Sequence, residues 1–468
     1  MIRCALLLLA ACASAHAATA GADVPERQSA RMVELFNKAS AVAATASAAA
    51  TDELLAYLDS TDFRKNISAH CGDIAKLPAD QMLTRYEEEL GAVELIHNFD
   101  ATCDGSHGDT CVGLEKDSLY FHNLWQLKYL GLVNQTYGNG CVGFEDNAET
   151  QLYGFPPFTG RDGCPASFGE ASDRPLYVAF NALKLDVGNP HFGDVSVVFR
   201  RGYVQNMTVI SPVDTGLWEM SCNMSDSHGH HHDPRNCSAW APRAVGTLQH
   251  NRHLVLANTR FWNGTLSLAQ KFNRVFGSWA APAPTVVGDE LFESYWESNF
   301  AGNVLYGSGG GASDGGLKFL VGSFASLFGT DAGEQLRSWA ASHGWFVVWA
   351  LGNALSGFHH GGPEVPPNAM NQRMLDPKAL SATSCANMTK VAAAVAPVDK
   401  AWAAVAAMRR NASATHHELT PDDWQAQYDA LLHAMPQEAA VQPLSARACA
   451  DLDRCIGTTI ASGDCVCY

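Results

Sequence analysis

Runs of positive charge are missing from this chain: no Lys/Arg cluster appears anywhere, and 31 basic residues stand against 48 acidic ones, for a formal net charge of −17. Nucleic acid and anionic membrane both reward basic patches, so neither is expected as a partner. Long apolar runs are missing as well. A bilayer span needs roughly 20 consecutive apolar residues, and no segment reaches that length without charge or a Pro/Gly interruption, so no transmembrane segment is expected. The zincin, Walker and nucleophile-elbow spacings are absent, and no single motif names a reaction. Cys-x-x-Cys is absent too, which argues against a thiol-redox centre. No internal repeat is evident.

The N-terminus has the three parts of a secretory leader. Arg3 is a positive n-region, Cys4 to Ala13 an apolar h-region of about ten residues, and Ala15-His16-Ala17 a small-x-small cleavage site. Residues 1–17 are therefore read as a signal peptide, with a mature start near Ala18 and a secreted or luminal location. Of the fourteen cysteines, Cys4 and Cys12 leave with the leader. Twelve remain, an even number suited to complete pairing in an oxidising compartment. Eight Asn-x-Ser/Thr sites, at Asn66, Asn134, Asn206, Asn223, Asn236, Asn263, Asn387 and Asn411, fit a eukaryotic secreted glycoprotein with N-glycans as the modification.

Size and pattern set the architecture. About 450 mature residues exceed what one core usually serves, and a 47% hydrophobic content can fill two or three lobes, so disulfides reinforce rather than create stability. Residues 25–60 hold Ala-rich stretches with Met32, Leu35 and Phe36, then Leu54, Leu55 and Leu58, at helical spacing, which reads as two helices. Residues 18–113 are taken as an N-terminal helical cap. From 114 onward, short β-branched and aromatic runs (Leu119 to Phe121, Val195 to Phe199, Val204 to Ile210) separated by Gly, Pro and Asn read as strands. Ala332 to His343 reads as a helix ended by Gly344, and Trp345 to Leu351 as a buried strand. Helix followed by buried strand is an α/β signature. The fold class is α/β or α+β: a central mixed-sheet domain over 114–362, a linker over 363–377, and a helical, Cys-rich region over 378–468.

Several blocks of the central domain carry a family likeness. Asn134 to Gly140 (NQTYGNG), Glu149 to Gly154 (ETQLYG), Arg174-Pro175-Leu176-Tyr177 with Asn181, and Pro190 to Asp194 (PHFGD) follow one another in order. Tyr295 to Gly302 then resembles a Tyr-x-Glu-Ala-Gln-x-His-Gly block, and Leu320 to Thr330 with Gln335 to Gly352 a closing strand-helix-strand. In order and spacing these resemble an uncharacterised bacterial domain family of unknown function over roughly residues 115–355. The resemblance implies an ADP-ribosyltransferase-like fold, in which a split, twisted sheet clamps NAD as substrate and a strand-borne Glu holds the ribose 2′-hydroxyl.

Under that resemblance Glu297 is the candidate catalytic carboxylate and His122 the early catalytic histidine. Tyr177 is the aromatic against nicotinamide, and Tyr295 and Asn299 join it in binding the dinucleotide. Departure of nicotinamide leaves an oxocarbenium-like sugar that a fixed carboxylate can stabilise without proton transfer. Asn299, Ala301 and Ala350 stand where the family has Gln, His and His. A scaffold that keeps the fold and loses the chemistry shows such losses, so a non-catalytic secreted binding protein is the alternative. Read without the resemblance, Glu297 is an exposed residue between strand aromatics and His122 a hydrogen-bonded core histidine.

Three other features compete for a function. His228-Gly229-His230-His231-His232-Asp233, between Cys222 and Cys237, could bind Zn²⁺ or Cu²⁺, the basis for a third reading as a metal-dependent hydrolase. Its Ser, Asp and Pro flanks favour a solvated loop, and no metal ligand is assigned. Gly307 to Gly316 could line an anion site, yet lacks the Lys-Ser/Thr ending of a P-loop and reads as a flexible connection. Cys449, Cys455, Cys465 and Cys467 read as a disulfide staple with three possible pairings, or pairing to a distant partner such as Cys385. Peptide mapping of secreted material is expected to find an N-terminus near Ala18 and no free thiol. Two or more alkylatable cysteines in the native protein would defeat the complete-pairing reading.

Overall fold

The computed structural model describes residues 30–68, 72–92, 94–102, 111–112, 121–131, 149–181, 193–199, 201–211, 245–250, 296–300, 317–343, 345, 347–350, 373–376 and 389–415. The leader, the His-rich loop, the Gly-rich segment 307–316, Tyr295 and the Cys-rich tail lie outside them. A nine-stranded mixed sheet organises these residues. Its strands are β1 (Leu95–Phe99), β2 (Leu176–Phe180), β3 (Val195–Phe199), β4 (Thr208–Ile210), β5 (Gly246–Thr247), β6 (Trp296–Phe300), β7 (Leu317–Ser323), β8 (Val347–Ala350) and β9 (Arg373–Leu375). Their order across the sheet is β5-β4-β6-β2-β1-β3-β7-β8-β9. Every neighbouring pair is antiparallel except β7 and β8. A parallel pair needs a crossover, and a helix over Asp331–His343 supplies it. The helix-then-strand pattern read from the sequence is thus found, and the fold is mixed α/β.

Both faces of the sheet are covered along β2, β3 and β8, which explains why these strands are apolar at nearly every position. Val195–Phe199 is buried throughout. On one face Phe99, Val178, Phe180, Val197, Leu320 and Trp349 join a large core, and on the other Ile96, Ala179, Val198, Val321 and Ala350 form a smaller one. Strands buried on both sides lose the polar alternation of a half-solvated strand. Two glycines fix close approaches. A Cβ on Gly193, at φ +133°, would lie 2.2 Å from the Phe99 carbonyl carbon, and one on Gly322 would lie 2.7 Å from the Trp349 ring. Asp194, next to Gly193, accepts from the Ala101 N–H at 2.9 Å and so fastens the end of β1 to the start of β3.

Helices α1 (Ala30–Leu58), α2 (Thr61–Ser68), α3 (Ala79–Ala92), α4 (Leu124–Tyr129), α5 (Asp331–His343) and α6 (Thr389–Thr415) accompany one-turn helical segments. The two helices read over 25–60 are one continuous helix, α1. Its sequence holds neither Gly nor Pro, and alanine has the highest helix propensity, so nothing interrupts it. Met32, Leu35, Ala39, Ala43, Leu54 and Leu58 form its buried stripe. Val204 to Ile210, read as one strand, is shorter: a helical turn covers Arg201–Val204 and only Thr208–Ile210 pairs. Thr208 donates its hydroxyl to the Val204 carbonyl at 2.8 Å, closing that turn before the strand begins.

The sheet also draws on segments either side of the central one. Leu95–Phe99, within the region read as a helical cap, is the middle strand, and Arg373–Leu375, within the segment read as linker, is the edge strand β9. Asp376 follows β9 and is fully buried. Arg337 of α5 reaches it with Nη2 at 3.0 Å from Oδ1 and Nε at 2.8 Å from Oδ2, and Trp349 donates Nε1–H to Oδ2 at 2.7 Å. The Trp402 ring of α6 lies 4.3 Å from the Arg337 guanidinium. Arg409 binds α6 down further by donating Nε–H to the Phe328 carbonyl at 2.9 Å, and burial lowers its pKa to about 10. Cys111 and Cys164 are each half of a disulfide, and no complete bridge lies among the described residues. Among those residues no helix is long and apolar enough to cross a membrane.

Asp376→Ala would strand a buried guanidinium and an indole N–H, so a stability loss of about 3–5 kcal/mol is expected in urea denaturation. A loss under about 1 kcal/mol would show that the pair does not hold β9 and α6 to the sheet.

Candidate functional site

A fully buried carboxylate organises the residues around the start of β2. Glu149 opens a π-helical turn, Glu149–Tyr153, that ends at Gly154 with φ +73°. Its Oε1 accepts from Trp125 Nε1–H at 2.9 Å and from the Tyr177 hydroxyl at 2.6 Å, and its Oε2 is paired with Arg174 Nη1. Burial raises the Glu149 pKa; the Arg174 charge and the three hydrogen bonds pull it back without cancelling that rise. Arg174 is itself buried, donates Nη2–H to the Pro156 carbonyl at 2.8 Å, and lies 4.0, 4.9 and 5.8 Å from the rings of Phe158, Phe155 and Trp125. Aromatic faces on a guanidinium and a paired carboxylate make its burial tolerable.

The sequence brings these groups together through two local devices. Asn123 and Gln126 form a reciprocal capping box on α4, with Asn123 Oδ1 accepting from Gln126 N–H and Gln126 Oε1 from Asn123 N–H, each at 2.8 Å. Asn123 Nδ2 then donates to the carbonyls of Ala171 and Arg174 at 3.0 and 2.8 Å, which positions Trp125 over Arg174. Glu170 closes the loop ahead of it, accepting from the N–H groups of Thr159 and Ala166 at 2.9 and 2.6 Å. Partial desolvation pushes the Glu170 pKa up, but those hydrogen bonds outweigh it and the carboxyl sits below its ordinary value.

The candidate residues fall around this network unequally. Tyr177 is half-buried on β2 and its hydroxyl is committed to Glu149. Its carbonyl is 2.8 Å from His97 Nδ1, so both ends of the residue are held. Register sets Asn299 directly opposite Tyr177, and Glu297 opposite Ala179, so the alternation of β2 and β6 assigns all four to one sheet face. His122 is half-buried between two structural residues: Phe121 packs edge-on to His97 at 5.8 Å, and Asn123 caps α4. The segment bearing His122 thus runs beside both Tyr177 and Arg174. Tyr295 lies outside the described residues.

Glu149 and Arg174 were not among the candidates read from the sequence, although both stand in the blocks ETQLYG and RPLY that carry the family likeness. The arginine that opens the otherwise apolar and aromatic RPLY block is a signal that could have pointed to Arg174. The Asn-x-x-Gln spacing before an apolar run likewise marks the Asn123 cap. No group of three or more potential metal ligands occurs among the described residues. A shallow groove of about 220 Å³, lined by Ala44, Ser47, Ala48, Thr51, Gln249 and His250, includes none of the candidate residues. Compared with family models and with curated proteins, the chain matches none.

Glu149→Gln would turn an amide N–H toward donors that now bond a carboxyl oxygen, leaving a buried donor unsatisfied, so it is expected to cost about 1–3 kcal/mol. Because the folded pKa is raised, the wild-type carboxyl contributes stability that is fully present below its unfolded value and lost as pH rises through the folded one. The stability gap between wild type and Glu149→Gln should therefore narrow from pH 4 to pH 8 in urea denaturation. A gap that widens over that range would mean that burial does not dominate the carboxyl's titration.

Proposed function

We propose that the protein is a secreted, ADP-ribosyltransferase-like enzyme that uses NAD as substrate, with Glu297 as its ribose-orienting carboxylate. The observation that carries this reading is the β2–β6 register, which sets Glu297 opposite Ala179 and Asn299 opposite Tyr177 on one face. Tyr177, two residues along β2 from Ala179, offers a half-buried ring that could face nicotinamide. The family likeness of the surrounding blocks points to the same chemistry. In the reaction the ribose C1′–nitrogen bond breaks, its electron pair leaves with neutral nicotinamide, and a water or acceptor oxygen adds to the oxocarbenium-like C1′ and loses its proton. Glu297 would hold the ribose hydroxyl and the positive charge on the sugar. The leader and the eight sequons support the secretory compartment.

A second reading is favoured by a different observation. The Tyr177 hydroxyl is tied to Glu149, and Asn299, Ala301 and Ala350 replace polar residues of the similar family, so the same face would suit a binding protein that holds a ligand without cleaving it.

Purified mature protein is expected to bind NAD and release nicotinamide. Glu297→Gln should keep the affinity while lowering turnover by about 10²-fold or more, the scale for removing one electrostatic stabiliser. Binding without turnover in the wild type would leave the binding-protein reading; no calorimetric heat at millimolar NAD, with no nicotinamide release, would remove the transferase reading.

A further inference from the structure

An acidic chain has reason to pair its cations, yet two of them on α1, where it meets the Glu149 turn, form no ion pair among the described residues. Arg31 and Lys38 are seven residues apart, which returns a helix to the same face. The Arg31 guanidinium lies 5.1 Å from the centroid of Phe155, and Lys38 Nζ lies 3.6 Å from where a Cβ on Gly154 would be. Both cations thus reach the two consecutive residues that close the Glu149–Tyr153 turn. Neither forms an ion pair among the described residues, although Glu34 stands between them on the helix. A ring face attracts a cation through its quadrupole but supplies no counter-charge. Phe155 also carries Arg174 at 4.9 Å, and there the charge is balanced by Glu149. Among the described residues Arg31 and Lys38 remain as charge without a matching anion, half-buried and exposed respectively.

We propose that Arg31, Lys38 and the Gly154–Phe155 backbone form an anion-binding ledge for a phosphate-bearing ligand, a diphosphate fitting two cations one face apart. Gly154 matters because its left-handed backbone, at φ +73°, is one that other residues hold only under strain, and it brings the chain to within reach of the Lys38 ammonium. The ledge connects to the candidate site through bonded groups: Phe155 stacks on Arg174, Arg174 pairs with Glu149, and Glu149 holds the Tyr177 hydroxyl. That the diphosphate is the one inside a dinucleotide rests on the function proposed above. The ledge itself does not.

The test uses the full mature chain and inorganic pyrophosphate in calorimetry at low salt, with ADP-ribose as a second ligand. Wild type should bind both. Arg31→Gln and Lys38→Gln, both helix-compatible and both checked for unchanged thermal midpoint, should each weaken pyrophosphate by about tenfold or more, as loss of a charge-assisted contact does. Glu34→Gln should tighten it, and Lys76→Gln, whose native partner is Asp73, should leave it unchanged. No pyrophosphate binding by wild type, or equal binding by Arg31→Gln and Lys38→Gln, overturns the ledge. Pyrophosphate binding that depends on Arg31 and Lys38 without any NAD turnover keeps the ledge and sinks the transferase reading. NAD turnover with a KM indifferent to Arg31→Gln and Lys38→Gln keeps the transferase reading and overturns the assignment of the ledge to the dinucleotide's diphosphate.

Discussion

The burial of Glu149 is the constraint on which the candidate site depends. Taking a carboxylate fully out of water is costly, and it persists here because Trp125, Tyr177 and Arg174 all turn donors onto its two oxygens. Each donor comes from a different segment: α4, the start of β2, and the loop immediately before it. One acid therefore fixes how α4 and the π-helical turn lie against the sheet. The Arg337–Asp376–Trp349 group does the same at the β8–β9 edge, tying α5, β8 and the residue after β9. One buried ion pair thus stands beside β2, next to the middle strand, and the other at the β8–β9 edge.

Fixing Tyr177 at both its hydroxyl and its carbonyl has a consequence for chemistry. A tyrosine held at its hydroxyl and its carbonyl has an oriented ring, and under the proposed function that fixed ring beside the register-matched Glu297 position would serve recognition of a flat heterocycle on a ribose. The same rigidity serves a binding site equally well. The difference between enzyme and binding protein thus lies at Glu297 and Asn299 on β6 rather than in the network behind Tyr177.

Much of the fold was legible where one physical signal dominated. The α5–β8 unit was readable because a helical pattern ended at Gly344 ahead of a continuous apolar run, and β3 because four of its five residues are Val or Phe. The break expected in α1 was an artefact of seeing two apolar clusters separated by alanines, which a helix passes through without interruption. β1 was missed because Leu95 to Phe99 contains His97 and Asn98, polar residues in a short run that only the sheet's two-sided burial reveals as central. β9 was missed because a three-residue strand carries almost no pattern. At the candidate site, Tyr177, Glu297 and Asn299 were named from the sequence, but Glu149 and Arg174 were not: a buried ion pair is a contact between segments 25 residues apart, and a charged residue in one block does not say which residue it pairs with.

A crystal structure of the mature protein with ADP-ribose tests the central claim most directly. The account predicts the ribose against β2 and β6 where Ala179 faces Glu297, with the Tyr177 hydroxyl still on Glu149. Ligand seated instead in the groove lined by Ala44, Thr51 and His250, with the Ala179–Glu297 face empty, would contradict it.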